Sequence, residues 1–324
     1  MMSDLAKIID TLKNENKFYI ISHMLPDGDS IGSLLAMAEG LRSLGKMITA
    51  FTPGHIPHKY SFLEGTGLVK NSLELEDKDI TVLVLDSSDL ERLGDFKEAV
   101  SASKKIINID HHITNQKYGD LNFVDPGAAA TGEIVYRLLK EVGAQITRRT
   151  AESLYVAIST DTGSFKFDNT TALTHRVVAE LLETGISPAV LSLKVFDERP
   201  LSFYILLKEA LSSLEVYEER LIAVMSLSKD IRERCGATTD DLEGIVNYTR
   251  NIEGVELGIM FYVESENEVK VGFRSRQLDV SLLAGKLNGG GHARAAGCRL
   301  YGDFESVKKR VMAEAKSMIR ELQF

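Results

Sequence analysis

The apolar residues of this chain fall into short unbroken runs separated by segments of helical spacing. FYIIS (18–22), TVLVLD (81–86) and KIINID (105–110) are continuous apolar stretches bounded by polar residues. Runs of that length without alternation predict strands buried on both faces. Between them Ile31, Leu34, Leu35, Ala38 and Leu41 recur at three- and four-residue intervals, and Ile134, Leu138, Leu139 and Val142 repeat the pattern. That spacing lines one side of a helix. Strand alternating with helix predicts an α/β fold, a parallel sheet flanked by helices. Ligands of such sheets gather at the carboxyl ends of the strands.

From about 150 to 212 the pattern is mainly helical, with Ser187 before Pro188 as a helix start and Pro200 as a further boundary. New strand-like runs follow: LIAVMSL (221–227), VELGIMFYV (255–263) and EVKVGFR (268–274). An amphipathic helix is predicted over 304–322. The chain therefore divides into a domain over 1–186, a helical connector over 187–213 and a smaller α/β domain over 214–324. A length of 324 residues suits two domains.

Polar clusters sit where the apolar runs end. In SHMLPDGDSIGS (22–33), His23, Asp27 and Asp29 lie within seven residues. Gly28 permits a tight turn between the two carboxylates, and Asp29 is placed to cap the following helix. Asp86 ends the second run, Asp110, His111 and His112 end the third, and Asp161 stands in ISTDTGSF after a helical segment. The Asp27–Asp29 fragment, Asp86 and Asp161 each read alone as a turn or a cap, whereas three adjacent groups able to bind metal or carry protons at 110–112 are hard to justify as packing. Taken together, His23, Asp27, Asp29, Asp86, His111 and Asp161 make a ligand set of four carboxylates and two imidazoles without a thiol. That donor set suits two Mn²⁺ ions, or Mg²⁺ or Co²⁺, better than a structural zinc. One shared carboxylate would hold two ions about 3.5–4 Å apart, as two-metal hydrolases require.

Charge and cysteine content narrow the picture. With 38 basic and 47 acidic residues the net charge is −9, which argues against a broad groove for long duplex nucleic acid. Short anionic substrates remain compatible with it. Cys235 and Cys298 form no disulfide framework, and no run reaches membrane-span length. The N-terminus lacks a signal-peptide core. A cytoplasmic protein with no membrane partner is expected, and a homodimer is left open.

Near the C-terminus, LNGGGHARAAGCRL (287–300) strips side chains from Gly289, Gly290 and Gly291 and adds His292 and Arg294. Bare backbone N–H groups beside such residues suit a phosphate. Upstream, Arg274 and Arg276 stand two apart at a strand end, so both can project from one face. Asp279 is a reasonable N-cap for the helix leading into the glycines.

The ordered motifs SHMLPDGDSIGS, VLDSS, IDHH and STDTGSF resemble those of the DHH phosphoesterase superfamily. The stretch VKVGFRSRQLDVSLLAGKLNGGGHARAAG resembles the DHHA1 domain that follows many DHH domains. Two departures stand out: Asn288 replaces the first of four usual glycines, and Ala293 stands where a basic or polar residue is common. The resemblance implies one metal held by His23, Asp27 and Asp86, and a second by Asp29, Asp86, His111 and Asp161. Asp86 would bridge them. His112 would face the substrate phosphate and Asp110 would act through its neighbours. Arg274, Arg276, Gly289, Gly290, Gly291, His292 and Arg294 would hold substrate in a cleft between the domains.

The second domain also separates the chain from its cousins. Family II pyrophosphatases carry a different C-terminal domain, RecJ exonucleases an extra oligonucleotide-binding module, and membrane-bound cyclic-dinucleotide phosphodiesterases transmembrane segments. The chain instead resembles the compact nanoRNase and pAp phosphatase group. The implied activity is release of 5′ mononucleotides from short RNA, and of phosphate from pAp to leave AMP. The alternative is a phosphodiesterase of c-di-AMP or pApA. A catalytically silent nucleotide-binding regulator is a third reading, which the full set of six ligands disfavours.

Overall fold

The structure, a computed structural model, describes residues 3–73, 79–237, 242 and 244–322. It divides into two compact units, Met1–Glu198 and Arg199–Phe324.

The first unit runs α1 (Asp4–Asn14), β1 (Lys17–Ile21), α2 (Gly28–Ser43), β2 (Met47–Phe51), β3 (Thr81–Leu85), α3 (Lys97–Ser101), β4 (Lys105–Asp110), β5 (Leu121–Val124), α4 (Thr131–Glu141), α5 (Arg148–Asp161), α6 (Ala172–Glu183) and α7 (Pro188–Ser192). Its sheet has the order β2-β1-β3-β4-β5, and every neighbouring pair is parallel. The three predicted strands are the three central ones. Their buried faces explain the unbroken apolar runs: all five residues of β3 are buried. The edge strands β2 and β5 were not visible in the pattern. MITAF and LNFV are only partly buried, so neither carries a continuous apolar run.

Helix α2 lies against the sheet and against α5, and small residues let the helices approach. A Cβ on Gly32 would fall 2.4 Å from the Ser153 carbonyl oxygen. One on Gly28 would fall 2.4 Å from the Thr160 side chain. This contact brings the start of α2 to the end of α5, which joins Asp27 and Asp29 to Asp161. Close packing of two helices thus assembles part of the site.

The second unit runs α8 (Leu201–Ser212), β6 (Glu215–Tyr217), β7 (Ile222–Ser228), α9 (Lys229–Arg234), α10 (Asn247–Arg250), β8 (Leu257–Ser265), β9 (Glu268–Ser275), α11 (Val280–Lys286), β10 (Gly290–His292), β11 (Ala295–Tyr301) and α12 (Phe304–Leu322). Its sheet has the order β10-β11-β9-β8-β7-β6, with only β7 and β8 parallel. Val269, Val271 and Phe273 alternate along β9 and join Ile259, Phe261, Leu283 and Val311 in one core. Phe203, Leu206, Met225 and Met260 form a second core on the other face.

The expected connector over 187–213 is split by this division. Leu191 and Val195 belong to the core of the first unit, whereas Phe203 to Ala210 belong to the second. The break falls between Glu198 and Arg199, just before Pro200, which precedes α8. Ser187 caps α7 and Asp279 caps α11. No helix among the described residues is long and apolar enough to cross a membrane.

Candidate metal centre

Four chain segments, 23–29, 86, 110–112 and 161, deliver polar side chains to the carboxyl ends of β1, β3 and β4. His23 follows β1 and is 1% exposed, and neither ring nitrogen has a hydrogen-bond partner. Two unpartnered nitrogens in a dry site are costly unless something electron-poor binds there. Its Nε2 lies 3.4 Å from Asp86 Oδ2 and 3.9 Å from Asp27 Oδ1. These three residues form one group whose ligand atoms all lie within 4.8 Å of one another.

Asp27, rather than Asp29, is the N-cap of α2. Its Oδ1 accepts from the Ser30 amide at 3.0 Å while the Ser30 hydroxyl binds back to the Asp27 amide. The expectation that Asp29 caps the helix is corrected: Asp29 lies one residue inside, buried at 1%. Its carboxylate is gripped instead by the first amides of α4. Thr131 N donates to Oδ2 at 2.6 Å and Gly132 N to Oδ1 at 2.9 Å, with the Ser33 hydroxyl at 2.9 Å. A helix N-terminus is the natural seat for a buried anion.

Asp86 stands at the centre of the cluster. Its φ of 58° is left-handed, which Asp tolerates better than most residues. One oxygen faces His23, while the other accepts from the Thr131 hydroxyl at 3.0 Å and lies 3.7 Å from His111 Nε2. His111 Nδ1 donates to the Ala128 carbonyl at 3.3 Å, so Nε2 is the nitrogen turned inward. That Nε2 is 3.2 Å from Asp161 and 3.8 Å from Asp29, and these three residues form a second group. A third group joins Asp86, His111 and His112.

The electrostatics show a site short of positive charge. Burial raises the Asp29 carboxyl to about 8, reinforced by Asp161 and opposed by His111. Burial, then the charges of Asp29, Asp27 and Asp161, push Asp86 well above the ordinary carboxylate range. Burial lowers His23 to about 4. For His111 burial acts downward, but the bond to Asp161 and the charge of Asp29 raise it to about 9. Protons held here stand where cations would satisfy the same carboxylates. The residues therefore fit divalent ions: oxygen and imidazole donors, unpartnered nitrogens and converging carboxylates.

His112 is oriented rather than ligating in the first two groups. Its Nδ1 donates to Asp110 Oδ1 at 2.7 Å. Asp110, fully buried, also accepts from the Asn115 amide at 2.6 Å. Burial alone would raise its carboxyl, but the bonds from His112 and Asn115 hold it below the usual value. His112 Nε2 in turn faces Arg92 Nη1 at 3.4 Å. Thr131, Asn115 and Arg92 escaped the sequence reading. The AATGE stretch leading into α4 was the available signal for Thr131; the other two are unremarkable until folded.

In the second unit, Gly289 precedes β10, the edge strand of its sheet, and Gly290 and Gly291 lie within it. Asn288 ends α11 with φ 59°: its amide reaches the Gly285 carbonyl at 3.1 Å, and the Gly289 amide the Ala284 carbonyl at 2.8 Å. This is a Schellman cap, so Asn288 serves the helix end. A Cβ on Gly289 would lie 2.2 Å from the Gly297 carbonyl oxygen, and Gly291 has φ 143°, whereas Gly290 meets nothing within 4 Å. The side chain of His292 lies outside the described residues. Arg276 falls beyond the end of β9, so strand alternation does not pair it with Arg274. Its guanidinium binds the carbonyls of Arg250 and Ile252 at 3.3 and 3.1 Å. Arg274 donates to the Phe273 carbonyl, and Arg294 to those of Gln277 and Leu278.

Residues 17–158 match the DHH family, N-terminal domain, and residues 222–321 match the DHHA1 domain. A bifunctional oligoribonuclease and PAP phosphatase, NrnA, from Thermus thermophilus is 35% identical over 302 residues, 92% of this chain and 89% of that protein. The protein of the same description from Bacillus subtilis is 30% identical over 323 residues, 98% of this chain and 99% of that one. Among solved structures, an exopolyphosphatase-related protein from Bacteroides fragilis is 27% identical and covers 99% of this chain and 98% of its own, with a TM-score of 0.92.

Proposed function

The chain belongs to the DHH family, in the arrangement of a DHH domain followed by DHHA1, and on that premise we propose that it hydrolyses short oligoribonucleotides and pAp. The observation that carries this reading is the position of Asp86, which groups with His23 and Asp27 on one side and with His111 and His112 on the other, where His111 also groups with Asp29 and Asp161. Each group would hold one divalent ion, and the donor set favours Mn²⁺. Bound there, two such ions supply Lewis acidity and lower the pKa of water.

The remaining work falls to side chains of the protein. Asp110 and Asn115 fix the ring of His112, which presents a polar edge to the phosphate. Thr131 and the first amides of α4 hold Asp86 and Asp29 in position ahead of ion binding. The Gly290 backbone, with Arg274, Arg276, Arg294 and His292, is assigned to the terminal phosphate or base. A few local contacts suffice for a short substrate, which reconciles phosphate chemistry with the net charge of −9. The chain would work in the cytoplasm.

The test is direct. Purified protein with Mn²⁺ should convert pAp to AMP and phosphate, and a trinucleotide RNA to 5′ mononucleotides. EDTA should abolish both. Activity that persists after EDTA and dialysis would exclude the metal mechanism, and inactivity on both substrates would exclude the function.

A further inference from the structure

Arg92 is a guanidinium held beside the converging carboxylates of the first unit through His112, and among the described residues it pairs with none of them. Among the described residues it forms no ion pair, although Asp27, Asp29, Asp86, Asp110 and Asp161 all stand in the cluster. Among the described residues its guanidinium has one partner, His112 Nε2, 3.4 Å from Nη1. An arginine with acidic neighbours usually pairs with one, because a bidentate carboxylate is its best ligand. The backbone of this one is anchored on both sides. Its carbonyl accepts from the Met24 amide at 2.8 Å, and its own amide donates to Asp89 Oδ1 at 3.1 Å. The turn after β3 is thereby tied to the segment after β1, which carries His23 and Asp27. His112, fixed by Asp110 through its other nitrogen, can only accept from Arg92, so the contact sets the direction of the guanidinium.

We propose that Arg92 binds a non-bridging oxygen of the scissile phosphoryl group and stabilises its charge in the transition state. This deepens the proposed function and rests on it. A guanidinium has five donors, and His112 uses one; the others have no partner among the described residues. Carboxylates here are reserved for cations, so a second source of positive charge must be anchored by a neutral group. An imidazole accepting from the arginine does that without neutralising it. In the second unit, by contrast, Arg274, Arg276 and Arg294 each donate to backbone carbonyls.

Arg92→Ala and Arg92→Lys should be compared with the unaltered protein on pAp and on a trinucleotide in Mn²⁺. Arg92→Ala should lower kcat by about 100-fold or more, the usual loss on removing one transition-state donor. Added guanidinium chloride should restore turnover in a saturable way, and sodium chloride at equal ionic strength should not. Arg92→Lys should retain more activity than the alanine variant. Mn²⁺ binding, titrated calorimetrically, should be unchanged in both, while inorganic phosphate should bind the loaded alanine variant more weakly. An alanine variant as active as the unaltered protein would overturn the assignment. So would a loss that guanidinium fails to rescue, or that comes with weakened Mn²⁺ binding, since either marks a structural support. An inactive unaltered protein would instead sink the proposed function.

Discussion

The carboxyl ends of the first sheet and the glycine hairpin of the second unit are held by opposite means. At the sheet, buried side chains are fixed by other side chains and by helix ends: Asp29 by α4, Asp86 by Thr131, His112 by Asp110. At the hairpin, side chains are missing and the backbone itself is shaped by a helix cap and by close strand contact. A site of the first kind is preorganised and charged, which suits bond making and breaking. One of the second kind offers amides to a ligand and tolerates variation in what it holds. Damage to the first should therefore appear in kcat, and damage to the second in KM.

The largest effect belongs to Asp86. Asp86→Ala removes the residue proposed to be shared by the two ions, and turnover should fall by about 10³-fold or more, on the order expected when several kcal/mol of metal-derived stabilisation is lost. Steady-state kinetics on pAp would detect it, and a change confined to KM would erase the distinction between the two regions. Thr131→Val keeps the volume but deletes the hydroxyl bound to Asp86. A fall of roughly 10- to 100-fold in activity or metal affinity is expected, as for other partners of metal ligands.

The hairpin separates fold from recognition glycine by glycine. Gly290→Ala should leave the melting temperature unchanged and raise KM about tenfold, the equivalent of one ordinary contact. Gly289→Ala should instead destabilise the second unit by about 1–3 kcal/mol, because its Cβ would meet the Gly297 carbonyl. Thermal denaturation beside kinetics distinguishes the two.

The smallest effect lies at the amino ends of the same strands that carry the metal ligands. Glu15 accepts from Thr81 and from Lys105 at 2.8 Å; burial acts upward on its carboxyl, but these bonds hold it below the ordinary value. A depressed carboxyl stabilises the folded state above its unfolded pKa, and that stability is lost as pH falls through the folded value. Glu15→Gln should thus cost at most about 1 kcal/mol at neutral pH after solvent screening, fading in acid, with kcat unchanged. Urea melts across pH check it.

Much of this was legible before folding because burial and chemistry leave different marks. Central strands must be apolar on both faces, so β1, β3 and β4 stood out, and the polar residues ending them pointed to a site. The edge strands β2 and β5 bury only part of their surface and left no such run. The N-cap at Asp27 was misassigned to Asp29 because either carboxylate of the turn is chemically suitable. Arg92 and Thr131 were invisible for a different reason. Their roles come from partners 20 residues away for Arg92 and His112, and 45 away for Thr131 and Asp86, which composition and spacing do not encode. Asn288 was visible as a tolerated departure, yet its place as a helix cap needed the hydrogen bonds.

The central claim is the proposal that two ions are held side by side with Asp86 between them. Counting Mn²⁺ by calorimetry on the full chain tests it most directly. The unaltered protein should bind two equivalents, and Asp27→Ala and Asp161→Ala should each retain one. A single equivalent in the unaltered protein, or loss of neither ion in the two variants, would contradict the account.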